Sequence, residues 1–215
     1  MAEIKHHLSD AILLAYSAGT LPEAFSLVVA AHISMCDTCR AQMESFDALG
    51  GALVEDMDSV QLSDGSFEAT MKLISEKAKD PIKVARRTNG IFPTPLQEYV
   101  GGDVDDVAWR PIGMGVKQMI LPTSKDASAR LLYIPSGAQM PDHGHEGTEL
   151  TLVLQGAFED EEDHFGVGDV EIATEDVHHT PIAVGPTDCI CLAAADAKLK
   201  FNSLIPKIAQ PFFRI

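Results

Sequence analysis

Apolar residues in the first third of the chain recur every three or four positions, the spacing of amphipathic helices. Ser9–Asp10 is a helix start and Gly19 a stop, which together bound a first helix. Pro22 opens a second helix, Asp37 is placed to cap a third, and a fourth follows Ser63–Asp64. The pattern therefore predicts a four-helix N-terminal domain.

Past residue 96 the pattern changes to short β-rich runs separated by turn residues. The predicted strands cover residues 117–121, 129–134, 150–154, 170–173 and 189–193. Strands this short and this frequent indicate a sandwich or barrel. Residues 81–96, with three prolines and no helical or strand period, read as a linker. We therefore expect an α + β protein with a helical domain (1–80), a linker (81–96) and an antiparallel β-barrel or jelly roll (97–215).

The first two predicted helices carry more apolar residues than one buried stripe requires. One interpretation is a face that binds a partner; the other is tight packing inside the protein. The candidate partner-binding residues are Ile12, Leu13, Tyr16, Phe25, Val28 and Val29.

Charge and composition exclude several classes of partner. The formal net charge of −16 opposes binding to nucleic acid or anionic lipid and favours a basic protein partner, such as one that itself binds DNA. No apolar run reaches the ~18–20 residues of a membrane span, and we expect no signal peptide. The four cysteines form two close pairs, which suits a reducing cytoplasm. The acidic run 159–163 reads as a solvated hairpin turn without chemistry of its own.

One cluster of soft metal ligands is predicted at the end of the second helix. Cys36 and Cys39 form a C-x-x-C, and His32 lies one helical turn before the first sulfur. These residues lack only a fourth ligand for tetrahedral zinc, and His6 and His7 are the nearest candidates. The alternatives are a redox motif or two inert core thiols. A redox motif should follow a strand in a βαβ pattern, whereas only helical periodicity is present here.

A second cluster is predicted in the β-rich part. His143 and His145 point to the same side of an extended chain, and Glu149 can reach that side after a turn at Gly147. His179 follows a later Gly-Asp turn, whereas its neighbour His178 would face the opposite way on a strand. Three imidazoles and a carboxylate suit Zn²⁺, Fe²⁺, Mn²⁺ or Ni²⁺. The alternative is a set of separate surface histidines around a turn.

A cysteine pair on the last predicted strand is a further candidate for redox chemistry. Cys189 and Cys191 would place both sulfurs on one face of that strand. A direct disulfide at this spacing would be strained, and two buried core cysteines explain the pattern at least as well.

The motifs resemble two known families. The pattern Gly-x5-His-x-His-x3-Glu-x6-Gly, from 137 to 156, followed by Gly-Asp…His, is similar to the metal-binding pattern of the cupin superfamily. Gly166 departs from it, since cupins often have proline there. The His-x3-Cys-x2-Cys of the helical part resembles the zinc-binding anti-sigma domain. The two in this order resemble the ChrR-type anti-sigma factors over essentially the whole chain.

The resemblance implies specific ligands and a specific function. The implied N-terminal zinc ligands are His7, His32, Cys36 and Cys39. The implied cupin ligands, for zinc or another divalent transition metal, are His143, His145, Glu149 and His179. Such proteins are not enzymes; they bind an extracytoplasmic-function sigma factor as a 1:1 heterodimer, without direct contact to nucleic acid or membrane. They release it under oxidative stress such as singlet oxygen, sensed through the cupin domain.

Two other functions remain consistent with the residues. A cupin metalloenzyme of the dioxygenase or isomerase type, joined to a zinc-binding interaction domain, would use the same histidines. A metal-storage protein would need sites that exchange metal readily, which two chemically unlike sites fit poorly. No general base, nucleophile or substrate-binding motif is evident beside the metal ligands.

Overall fold

The structure, a computed structural model, describes residues 3–77 and 90–201. Its α-helices are α1 (Asp10–Ser17), α2 (Glu23–Met35), α3 (Asp37–Glu55), α4 (Ser66–Lys77) and α5 (Thr94–Val100), and a 3₁₀ turn spans Val104–Asp106. The four predicted helices are present. Much of the predicted linker, residues 78–89, lies outside the described residues.

α5 begins inside the segment that was read as linker. Pro93 is its N-cap and Pro95 lies in its first turn, so the prolines that seemed to interrupt structure mark a helix start. Gly101 ends the helix in a left-handed conformation at φ 84°. The sequence pattern missed α5 because seven residues are too few to show a helical period.

The N-termini of α1 and α3 are each capped by a side chain. Ser9 caps α1 by accepting a hydrogen bond from the Ile12 amide, and Gly19 adopts φ 67° just beyond the C-terminus. α3 is capped by Cys36 instead of Asp37. Cys36 has an extended backbone, and its sulfur accepts a hydrogen bond from the Cys39 amide. The C-x-x-C motif therefore forms the junction between α2 and α3.

The β-rich part contains three antiparallel sheets over the described residues. The strands are β1 (Arg110–Gly113), β2 (Val116–Ile120), β3 (Ser128–Ile134), β4 (His143–His145), β5 (Glu149–Gln155), β6 (Ala157–Glu159), β7 (His164–Phe165), β8 (Val170–Ala173), β9 (His178–His179), β10 (Ile182–Val184), β11 (Cys189–Ala195) and β12 (Leu199–Phe201). The large sheet has the order β1-β2-β3-β11-β5-β8, and the smaller ones are β10-β6-β7 and β12-β4-β9. All five predicted strands are confirmed to within two residues.

The large sheet is buried on both faces. On β11, Cys189 and Cys191 pack with Phe158 of the β10-β6-β7 sheet, while Ile190 and Leu192 face the opposite way. This is the period-two alternation of a strand, with apolar residues on both sides. The inner face packs against the β10-β6-β7 sheet inside the barrel. The outer face needs a second cover, and α2 provides it.

α2 and the outer face of the large sheet form one continuous core. Val28 and Val29 of α2 are fully buried in the same cluster as Leu131, Leu152 and Leu192 of the sheet. The helical and β-rich parts of the sequence thus stabilise each other through shared apolar burial.

This packing bears on the candidate partner-binding residues. Leu13, Phe25, Val28 and Val29 are at most 5% exposed, and Ile12 and Tyr16 pack partly buried against the same core. The structure therefore favours the core-packing interpretation of these residues over that of a free partner-binding face.

Apart from Leu14 of α1, which is 47% exposed, the exposed large apolar side chains of the helical part lie elsewhere. We call the apolar surface of the second half of α3, the following loop and α4 the α3–α4 surface. It comprises Leu49, Leu53, Val54, Met57, Val60, Leu62, Phe67, Met71, Leu73 and Ile74, each 49–81% exposed. Separately, no helix within 3–77 and 90–201 is long and apolar enough to cross a bilayer.

Candidate metal centres

The predicted soft-ligand cluster assembles at the α2–α3 junction. His7, His32, Cys36 and Cys39 each offer one ligand atom, and these four atoms lie within 4.8 Å of one another. The Nδ1 of His7 is 3.3 Å from the Cys36 sulfur and 3.5 Å from that of Cys39. Two sulfurs and two imidazoles at this separation are the donor set of a tetrahedral zinc site.

His32 is held in the orientation and tautomer that a metal ligand requires. It is fully buried, and its Nδ1 lies 2.9 Å from the carbonyl oxygen of Gly168 in the β-rich part. Donation from Nδ1 leaves a lone pair on Nε2, and this nitrogen is buried without a hydrogen-bond partner. An orphaned buried nitrogen beside two thiols fits a bound cation.

Burial keeps the ligands of this cluster in particular protonation states. It lowers the pKa of His32 to about 4, so the ring is neutral at physiological pH. Burial, together with the neighbouring Cys36, raises the pKa of Cys39 to about 11. A divalent cation would reverse this preference, because it favours the thiolate over the thiol.

The structure separates His6 from His7. His6 turns away from the sulfurs, and its Nε2 lies 3.0 Å from a carboxylate oxygen of Asp163 while its Nδ1 lies 3.4 Å from one of Asp169. His7 alone of the two belongs to the ligand cluster. The sequence could not separate them, because the choice depends on contacts with residues more than 150 positions away.

The second cluster forms where β4 and β9 pair. His143 lies opposite His179 in this ladder, and His145 shares the inward face of β4 with His143. The Nε2 of His179 is 3.2 Å from that of His143 and 3.3 Å from that of His145. All three rings are buried. Burial lowers the pKa of both His143 and His145 to about 4, which leaves neutral imidazoles as a metal site needs.

Glu149 lies outside this three-histidine group. It sits at the start of β5, where its Oε1 accepts a hydrogen bond from the Thr151 hydroxyl at 3.2 Å. Burial and the charge of Glu171 raise the pKa of Glu149 to about 7, while Arg130 opposes the shift. The structure thus brings three of the four predicted cupin ligands together and leaves the fourth on a neighbouring strand.

Two carboxylates that the sequence analysis missed lie against His179. Its Nδ1 is 2.9 Å from Asp160 and 2.8 Å from Glu171. Burial alone would lower the pKa of His179, but the hydrogen bonds and charges of these carboxylates raise it to about 9. Carboxylates on the far nitrogen of a ligating histidine orient the ring and strengthen it as a ligand.

Asp160 overturns the interpretation of the acidic run as a solvated turn. Its side chain is 1% exposed, although Glu161, Glu162 and Asp163 beside it are exposed. For Glu171 a signal was present in the sequence: it is a charged residue at an inward position of β8, between two apolar neighbours. For Asp160 no such signal existed, since the run looks uniformly polar.

The last cysteine pair lies inside the barrel. Cys189 and Cys191 are buried free thiols whose sulfurs are 3.4 Å apart. The contact with Cys189, followed by burial, raises the pKa of Cys191. Both sulfurs share the inner face of β11, as the alternation predicts. Whether they undergo redox chemistry stays a prediction.

Comparison with known proteins agrees with this architecture. Residues 97–198 match the family described as the ChrR cupin-like domain. The anti-sigma-E factor ChrR of Cereibacter sphaeroides is 57% identical to this chain over 212 residues, which is 99% of each protein. The chain belongs to the ChrR family of anti-sigma factors.

A solved member of the ChrR family has the same fold. In the crystal structure of Rhodobacter sphaeroides SigE in complex with the anti-sigma ChrR, the matched chain superposes with a TM-score of 0.80 at 54% identity. The match covers 90% of this chain and all of the other. The expected ChrR-type resemblance and the α + β fold are confirmed. The expectation of a regulator in place of an enzyme agrees with membership of this family.

Proposed function

We propose that this chain is an anti-sigma factor that binds an extracytoplasmic-function sigma factor as a 1:1 heterodimer and keeps it from core RNA polymerase. The observation that carries the proposal is the 54% identical ChrR chain solved in complex with SigE; the match covers all of that chain and 90% of this one. The net charge of −16 supports a basic partner that itself binds DNA.

The α3–α4 surface is the docking site that this function needs. Ten apolar side chains that are about half exposed or more, grouped on two helices and the loop between them, exceed what a monomeric protein usually presents to water. An amphipathic helix with an unpartnered apolar face is a common means of filling a hydrophobic groove on another protein. The sigma factor is the occupant we propose.

Both clusters are proposed to hold metal. The thiolate-rich set of His7, His32, Cys36 and Cys39 suits zinc, and zinc there would fix the α2–α3 junction and supply folding energy. His143, His145 and His179, with Glu149 as the proposed fourth ligand, suit zinc or another divalent transition metal. In this proposal the cupin part senses the (photo-)oxidative signal, such as singlet oxygen, in the cytoplasm.

Co-expression tests the proposal. The full chain, tagged, would be expressed with each extracytoplasmic-function sigma factor of the source organism, captured, and analysed for bound protein and metal. We expect one sigma factor to co-purify at 1:1 and the chain to carry zinc.

Capture of none of the sigma factors by a folded, metal-loaded chain would refute the anti-sigma assignment. If the same preparation carried iron and consumed oxygen with a small organic substrate, the enzyme alternative would replace it.

A further inference from the structure

Two segments of the β-rich part contact a ligand of each metal cluster or the residue next to one. We call these the 160–163 turn and the 168–171 segment. His179 of the cupin cluster contacts one carboxylate from each, Asp160 at 2.9 Å and Glu171 at 2.8 Å. The same segments also contact His32 of the N-terminal cluster and His6 beside it, although that cluster is built from distant parts of the chain.

The 168–171 segment hydrogen-bonds to the two parts of the chain that form the N-terminal cluster: His32 on α2, and the residues just before His7. The Gly168 carbonyl accepts a hydrogen bond from His32. The amides of Lys5 and His6 donate to one oxygen of Asp169 at 2.6 and 2.9 Å, and the Val170 amide donates to the His6 carbonyl at 3.2 Å. His7, the next residue, is thereby positioned toward the sulfurs.

Gly168 permits this close approach. Its φ is +94°, and a Cβ at this position would lie 2.6 Å from the side chain of Ile4. A larger residue would have to displace the Ile4 side chain and adopt a strained positive φ. The N-terminal segment and the 168–171 segment are therefore closely packed at Gly168.

His6 joins the two segments to each other. One of its ring nitrogens contacts Asp163 of the 160–163 turn and the other contacts Asp169 of the 168–171 segment. Its ring also lies 4.4 Å from that of Phe165, between the two segments in sequence. His6 is not in the ligand cluster, but it is the residue next to His7.

The 160–163 turn is closed by its own hydrogen bonds. Asp160 accepts hydrogen bonds from the amides of Glu162 and Asp163 at 2.9 and 3.0 Å, and its own amide donates to the Asp163 carbonyl at 3.1 Å. The carboxylate that contacts His179 and the residue that contacts His6 therefore move together. A path of direct contacts runs from His179 through Asp160 and Asp163 to His6.

We propose that the 160–163 turn and the 168–171 segment couple the two metal clusters, so that metal in the cupin cluster slows zinc release from the N-terminal cluster. A metal on His179 fixes its ring, which fixes Asp160 and Glu171 and, through them, the partners of His6 and His32. The inference rests on the metal content proposed above and is independent of the sigma partner. Loss of outer partners typically weakens metal binding by ~10–100-fold, and couplings between sites are ~5–150-fold.

The experiment follows zinc release through the thiols that it uncovers. The full-length protein, loaded with metal at both clusters, would be mixed with a strong chelator and an alkylating agent, and alkylation of Cys36 and Cys39 would be timed by peptide mass spectrometry. The comparison form, His143→Ala/His145→Ala, lacks two of the three clustered imidazoles, and metal analysis would establish that its cupin cluster is empty. We expect its Cys36 and Cys39 to react about tenfold faster than those of the wild type.

Asp163→Asn and His6→Gln test the path itself. In each, the difference between filled and emptied cupin cluster should shrink to about twofold or less. A residue with a merely structural role would speed release equally in both forms, so the shrinking difference separates the two. Glu162→Gln removes the same charge from the same turn and should leave the tenfold difference intact. Circular dichroism would confirm that each variant is folded.

Equal alkylation rates for wild type and His143→Ala/His145→Ala would overturn the proposal, as would a full difference that survives in both path variants. Asp169→Asn tests the contact of the 168–171 segment with His6 in the same way, and here too the difference should shrink. A protein that captures a sigma factor but shows uncoupled metals would refute this inference and leave the proposed function standing.

Discussion

Adjacent residues in this protein can have different roles, because they contact different distant groups. His6 and His7 are adjacent, yet one contacts two carboxylates of the β-rich part and the other lies beside two sulfurs. The types and spacing of His32, Cys36 and Cys39 predicted their cluster because all three lie on one local helix junction. The fourth ligand came from another part of the chain, and residue spacing alone could not choose it.

The structure predicts different zinc contents for the two histidine variants. His7→Ala removes a ligand atom and should reduce the zinc that survives gel filtration in weak chelator to well below one per chain. His6→Gln leaves all four ligands in place and should retain close to one zinc in the N-terminal cluster. Metal analysis measures the zinc content of both variants. Peptide mass spectrometry of alkylated protein shows whether Cys36 and Cys39 are protected. Full zinc retention in His7→Ala would contradict the assignment of the fourth ligand.

Tyr99 gives a residue-scale prediction about pH. Its hydroxyl donates to Glu23 of α2 at 2.7 Å, and this hydrogen bond raises the pKa of Tyr99 to about 12. Because this value lies above the unfolded one of about 10, the contact stabilises the fold below pH ~10 and is lost as pH rises through ~12. In Glu23→Ala, one tyrosine ionisation should shift toward pH ~10 in an ultraviolet titration.

Glu98→Ala is the control for this titration. Glu98 adjoins Tyr99 in sequence and contributes least to its pKa, so its loss should leave the ionisation near its wild-type position. An unchanged titration in Glu23→Ala would show that the contact between α2 and α5 is not formed in solution.

At the scale of elements, α2 and α3 illustrate how a helix with much apolar surface is used. α2 has eight buried residues in thirteen, because it lies between the other helices and the large sheet. The second half of α3 and α4 have no such cover over the described residues and leave leucines, valines and a phenylalanine in water. The sequence showed that these helices are rich in apolar residues, but it did not show which of them another part of the protein covers.

Charged substitutions on the α3–α4 surface should weaken partner binding without unfolding the protein. Leu53 and Phe67 are 63% and 71% exposed, so Leu53→Asp and Phe67→Asp should change stability by no more than about 0.5 kcal/mol. Each should weaken capture of the sigma factor at least about tenfold, because buried apolar anchors dominate interface energies. Titration calorimetry and thermal melts would measure the two effects.

The matched control for these variants is Met114→Asp. Met114 is 77% exposed in the turn between β1 and β2, away from the helices, and should not affect capture. Normal binding by both helix variants would exclude the α3–α4 surface as the docking site.

At the scale of the molecule, the helical and β-rich parts form one folding unit over the described residues. α2 lies on the outer face of the large sheet, Glu23 also accepts a hydrogen bond from the Ser124 amide, and Asp169 binds the N-terminal segment. Because the two parts share one core, we expect them to unfold together in one cooperative step.

Leu152→Ala tests the shared core. Leu152 is fully buried on the face of β5 that meets α2, so its truncation should destabilise the protein by about 2–5 kcal/mol. Helical and β signals in circular dichroism should still melt together, at a lower temperature. Leu62→Ala, at a leucine that is 77% exposed, should melt as the wild type does. Two separate transitions in the wild type would show that the parts fold independently.

The sequence by itself determined the first four helices, the long strands and the metal-ligand types. It could do so because helical period, strand alternation, capping and C-x-x-C or His-x-His spacing all act over a few residues. Only the tertiary structure decided that His7 joins the sulfurs, that Asp160 and Glu171 orient His179, and that Val28 packs on a sheet instead of on a partner. Each of these depends on groups eight or more positions apart in the chain, and no local pattern records which of these groups will meet.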